Sequence, residues 1–114
     1  MLNPAQIHME IERCLSELEG LVEEIRSAAI EQAKAENAYK SAFSQSRLRA
    51  RANAVAKVTI DQVEDLANAE TAELRLASQI ATNNLTTLRE VLRATQARLD
   101  GLRTLATSHR VAGG

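Results

Sequence analysis

From Ile7 onward the chain places residues that are apolar or small, Gln32 apart, at alternating steps of four and three: Ile7, Ile11, Cys14, Leu18, Leu21, Ile25, Ala28, Gln32, Ala35, Tyr39 and Ala42. Only an α-helix returns such positions to one face, and a stripe kept up for five heptads needs another helix packed against it. The start of this helix is marked in the sequence. Asn3 is a capping residue, Pro4 occupies the first helical position, where its missing N–H does no harm, and Gln6 completes an Asn-x-x-Gln capping box. Nothing downstream forces an early stop: Pro4 is the only proline, and Gly20 costs about 1 kcal/mol relative to Ala without breaking the pattern. The spacing predicts a first helix over about 4–52.

A turn is expected at about 53–59, because helical periodicity fades after Ser44 and a second capping box, Thr59-x-x-Gln62, opens a new helix. This second helix is predicted over about 60–107, with its seam at Ala81, Leu85, Leu88, Leu92, Thr95, Leu99, Leu102 and Ala106 and with Ile80, Val91 and Leu105 beside it. Thr82-Asn83-Asn84 and Thr86-Thr87 are weak helix formers, so a break there would give three helices. Residues 108–114, ending in two glycines, read as a frayed tail. The expected fold is all-α: a single domain over 1–114, a long amphipathic helical hairpin of coiled-coil character.

Two rods of this length have little interior relative to their surface, and each stripe is flanked by further Ala and Leu. A homo-oligomer larger than a dimer is therefore expected, with Ile7, Ile11, Leu18, Leu21, Ile25, Leu85, Leu88, Leu92, Leu99 and Leu102 as its seam. The chain has one Phe, one Tyr and no Trp among its 114 residues, against 20 alanines, so close helix packing is favoured over a deep ligand cleft. His8 and His109 lie at opposite ends of the sequence. Neither falls in a pattern that would supply a nucleophile or a metal set, and the many glutamates of the first helix read as a solubilising face. No enzyme activity, cofactor or metal is expected.

Cys14, the only cysteine, rules out an intrachain disulfide and reads as a small buried hydrophobe. No basic-then-apolar leader and no run of about 18 apolar residues is present, so a cytoplasmic setting without membrane contact is expected.

The net charge of −1 is divided into blocks. Residues 1–36 carry eight acids and three bases, 37–60 five bases and no acid, 61–73 five acids and no base, and 74–114 six bases and two acids. Blocks of this kind mark solvated faces or segments that pair by charge. The acid-free block has a second feature: Lys40, Arg47, Arg49, Arg51 and Lys57 fall beside Tyr39 and Phe43, the only two aromatic residues. Fixed cations follow a phosphate path and aromatic or guanidinium planes stack on bases, so these seven residues are the candidate single-stranded DNA contacts. Repetition around an oligomer would join them into a continuous basic surface. The other reading pairs these cations with Asp61, Glu64, Asp65, Glu70 and Glu73 folded back across the turn. Arg89, Arg93 and Arg103, with Arg98 and Arg110 nearby, form a second basic set on the last helix.

The order of segments is an acidic helix, the basic middle AYKSAFSQSRLRARANAVAK, the acidic helix start TIDQVEDLANAE, and the long last helix ending LREVLRATQARLDGLRTLATSHRVAGG. Over about residues 25–114 this layout resembles the UvsY-type recombination mediators of tailed phages. The resemblance implies a phage protein of the host cytoplasm that forms a helical ring oligomer, binds single-stranded DNA and helps a recombinase displace single-strand-binding protein. It would assign strand contact to Lys40, Arg47, Arg49, Arg51 and Lys57, and assembly to Leu88, Leu92, Leu99 and Leu102. The strongly acidic first helix departs from that pattern. The reading of a different class is a structural or adaptor coiled coil, such as a virion or assembly component, whose charges direct subunit pairing.

Overall fold

The structure is a computed structural model in which residues 2–53 and 58–113 are described. Those residues form three helices and no strand: α1 (Pro4–Ala52), α2 (Ile60–Glu70) and α3 (Ala72–Gly113). Both capping boxes are present. Asn3 and Gln6 exchange backbone-to-side-chain hydrogen bonds of 2.9 Å each, and Thr59 and Gln62 do the same at 3.1 and 3.2 Å. The part of the expected turn at 54–57 lies outside the described residues. Among the described residues no helix is long and apolar enough to cross a membrane.

Contacts group the chain into two compact units, Met1–Ser27 with Thr86–Gly114, and Ala28–Leu85. In the first unit α1 and α3 run antiparallel. Pro4, Ile7, His8 and Ile11 meet Ala106, His109 and Arg110, whereas Glu17 to Glu24 meet Thr95 and Val91, so the partner number falls as the α1 number rises. Cys14, Leu99 and Leu102 form the centre of this unit, with Ile11 and Leu18 packed against them. The core is narrow, and Cys14 is fully buried in it. Every α1 seam position from Ile7 to Ala42 is buried or half-buried, as is every α3 position of the seam from Ala81 to Ala106. Of the seam residues named for an oligomer, Ile7, Leu21, Leu85, Leu99 and Leu102 are buried within the chain, and Ile11, Leu18, Ile25, Leu88 and Leu92 are half-buried.

The second unit buries small and polar groups beside Val63 and Leu85. Val63 and Ala67, four residues apart on α2, are buried, and so are Ala28, Leu85, Ser46 and Thr71. The Ser46 hydroxyl donates to the Glu70 carboxylate, which also receives Arg49 Nη2 at 3.3 Å. Ser46 continues the α1 stripe one step beyond Ala42. A buried hydroxyl is tolerated there because a charged acceptor satisfies it.

Two boundaries differ from the sequence expectation. The second helical stretch breaks at Thr71 and not at 82–87. Thr71 has φ −108° and ψ 14°, and its hydroxyl donates to the Ala67 carbonyl at 2.6 Å. Main-chain bonds continue on both sides, Thr71 N–H to Ala67 O at 3.1 Å and Arg75 N–H to Thr71 O at 2.9 Å, so the break is a distortion confined to one residue. Residues 82–87 stay helical despite weak propensity because Ala81, Leu85 and Leu88 on the same stretch are buried or half-buried, and packing outweighs propensity. The expected frayed tail from 108 is also replaced: α3 runs to Gly113, and His109 lies half-buried against the first turns of α1.

Candidate nucleic-acid interface

The basic segment occupies the last third of α1, up to its C-terminal turn. At about 100° per residue, steps of four and seven return to nearly the same side of a helix. Lys40, Phe43, Arg47 and Arg51 therefore share one side, with Tyr39 at its margin, and Arg49 points the other way. The side chains follow this geometry. The rings of Tyr39 and Phe43 are 6.0 Å apart, tilted by 57°, and the Arg47 guanidinium carbon lies 5.8 Å from the Phe43 ring centroid. Tyr39, Phe43 and Arg47 form an i, i+4 ladder of two rings and a guanidinium plane, and all three are half-buried. Arg47 Nε is buried and has no hydrogen-bond partner.

The remaining cations are held differently. Lys40 pairs with Glu36 at 2.7 Å, one turn back, and Gln32 donates to the other Glu36 oxygen at 2.9 Å. The Lys40 hydrogen bond first, and the Gln32 bond after it, keep the Glu36 carboxyl below its ordinary range. Arg49 is directed to Glu70 of the acidic block. Among the described residues Arg51 takes part in no ion pair; it is exposed, as are Lys40 and Arg49. Lys57 lies outside the described residues. Of the seven candidates, five gather on or beside one side of α1 and Arg49 is turned away.

Helix dipoles account for part of the charge blocks. Arg49 and Arg51 occupy the last turn of α1, whose carbonyl end favours cations, and Asp61 and Glu73 occupy the first turns of α2 and α3, whose N–H ends favour anions. Of the basic set on α3, Arg98 is engaged: Nη2 meets Glu17 at 2.8 Å, and Nε–H donates to Cys14 Sγ at 3.2 Å. The sequence does not reveal this contact across 84 positions, nor that its two histidines line one cleft. His8 and His109 line one open cleft of about 250 Å³ with Pro4, Ile7, Ile11, Ala106 and Arg110. His8 is tied to Glu12 at 3.1 Å, and no Ser, Thr or Cys lines the cleft to serve as a nucleophile. Among the described residues no group of three or more His, Cys, Asp and Glu side chains is placed to hold a metal ion.

No protein-family model, curated relative or solved structure matches this chain.

Proposed function

We propose that this chain is a non-enzymatic, oligomeric helical accessory that binds single-stranded DNA and serves recombination or replication, in the manner of a phage mediator. The observation that carries the reading is the Tyr39–Phe43–Arg47 ladder with Lys40 and Arg51 on the same side of α1. Phosphates are met by Lys40 and Arg51, and bases stack against the aromatic rings and the Arg47 plane. A helix side of this kind reads no sequence, in keeping with a protein that follows a strand and leaves recognition to others. The expected protein partners, a recombinase or single-strand-binding protein, come from the resemblance of the segment layout to UvsY-type mediators.

A second reading, a structural or adaptor coiled coil, is favoured by the Arg49–Glu70 pair and by the match of charge to helix ends, both of which give the cations work inside the fold. Salt separates the two. Titrating a labelled single-stranded oligonucleotide with the protein, and following anisotropy at low and moderate salt, should show binding that weakens log-linearly as salt rises. Absence of binding at low salt by folded protein would leave the structural reading as the better account.

A further inference from the structure

After the core of the first unit has formed, apolar stripes remain on both of its helices. On α1, Leu15 and Val22 lie seven residues apart and are 42% and 49% exposed; on α3, Val91 and Leu105 lie fourteen apart and are each 43% exposed. Multiples of seven keep each pair on one side of its helix, next to the buried seam; on α3 the position midway between the two is Arg98, which is paired with Glu17.

Contacts between the two helices determine which sides share a face. Glu17, Gly20 and Glu24 line a cleft with Val91 and Thr95, and Arg98 crosses to Glu17 on that same side. Glu10, Glu17 and Glu24, spaced by sevens, therefore run beside the Val91–Leu105 stripe. The opposite side holds His8 and Ile11 with Arg110. Leu15 and Val22 follow His8 in steps of seven, and Arg103, Gln96 and Arg89 precede Arg110 by the same step. One face thus sets an apolar α3 stripe beside an acidic α1 edge. The other sets an apolar α1 stripe beside a basic α3 edge.

We infer that these two faces bind each other between copies of this chain, Val91 and Leu105 of one copy packing on Leu15 and Val22 of the next while Arg89 and Arg103 meet the glutamate edge. The occupant is a second copy because the Glu10–Glu17–Glu24 edge of one face is opposite in sign to the Arg89–Arg103 edge of the other, and Arg98 between Val91 and Leu105 is opposite in sign to Glu12 and Glu19 beside Leu15 and Val22, at one shared seven-residue period. The charge balance agrees: residues 1–27 carry six acids and two bases, and 86–114 carry five bases and two acids. Glu10 and Glu17 are already engaged within the chain, by Arg13 and Arg98 at 2.8 Å each, whereas Glu24 has no ion pair among the described residues and is open to an incoming arginine. An interface between unlike faces is heterologous, so association continues until a ring closes or a filament grows. The inference rests on the oligomeric part of the proposed function and is independent of DNA.

The test is molar mass in solution by light scattering at micromolar concentration, without nucleic acid, and with circular dichroism to check helicity. The wild type should exceed a dimer. Glu10→Lys/Glu24→Lys and Arg89→Glu/Arg103→Glu should each assemble at least tenfold more weakly alone, because like charges then face each other, and an equimolar mixture should regain assembly because every interface in it can pair opposite charges. A monomeric wild type, variants that assemble as the wild type does, or two helical variants whose mixture stays apart would overturn the proposal. If either variant loses helicity, the neutral Arg89→Gln/Arg103→Gln protein gives the same readout: weaker assembly supports the faces assigned, and unchanged assembly overturns them.

Discussion

Leu99 and Leu15 are both leucines on heptad spacings, and the fold treats them oppositely. Leu99 sits in the core with Cys14 and Leu102, whereas Leu15 is exposed at the flank of the same pair of helices. Leu99→Ala should cost about 2–4 kcal/mol, since a cavity opens in a core with few other members. Leu15→Ala should cost under about 1 kcal/mol in the dissociated chain. Urea unfolding of the two variants at a concentration that keeps the chain monomeric checks the contrast, and equal losses would contradict the assigned core. Glu36 offers a titration at the same scale. Its folded pKa is depressed chiefly by the hydrogen bond from Lys40, so its contribution to stability is present above the ordinary value of 4.5 and is lost as pH falls through the lower folded value. Lys40→Met should move the Glu36 carboxyl upward towards 4.5 in a carbon-detected NMR titration; an unmoved midpoint would show that Lys40 does not hold it.

Helices carry most of what the sequence makes legible. The α1 stripe from Ile7 to Ala42 and the α3 stripe from Ala81 to Ala106 could be read position by position because a heptad pattern depends only on local spacing, and two capping boxes mark helix starts by local hydrogen bonds. What the sequence hides depends on contact between distant segments. The break at Thr71 is not registered by propensity or by its hydroxyl bond to Ala67, since buried Thr95 makes the same bond to Val91 and stays helical, whereas the weaker-looking Thr82–Thr87 stretch is held helical by Leu85. Glu70 reaches back to Ser46 and Arg49, and Arg98 reaches Cys14, across separations that no periodicity reports. Gly101 tests the helix account directly. A Cβ built there meets nothing within 4 Å and the residue lies inside α3, so Gly101→Ala should raise stability by roughly 0.5–1 kcal/mol in denaturant unfolding. A loss would mean that this part of α3 is not regular helix.

For the whole molecule, the consequence of the fold is a division of labour among its charges. Stripes that the sequence offers as an oligomer seam are buried or half-buried within the chain, and Leu15, Val22, Val91 and Leu105 are among the large apolar residues that remain exposed beside them in the first unit. The basic segment divides likewise. Arg49 works within the fold through Glu70, while Lys40, Arg47 and Arg51 share the side that also carries the rings. The candidate site was readable as a list of residue types beside two aromatics, but its division required the helix rotation and the position of Glu70. Because Glu36 competes for Lys40, Glu36→Gln should strengthen DNA binding several-fold at low salt. The most direct test of the proposed function compares two variants by oligonucleotide anisotropy across a salt series. Arg47→Ala/Arg51→Ala should bind at least tenfold more weakly with a shallower salt slope, and Arg49→Ala should bind nearly as the wild type does. Equal losses in the two, or no salt-dependent binding by the folded wild type, would contradict the account.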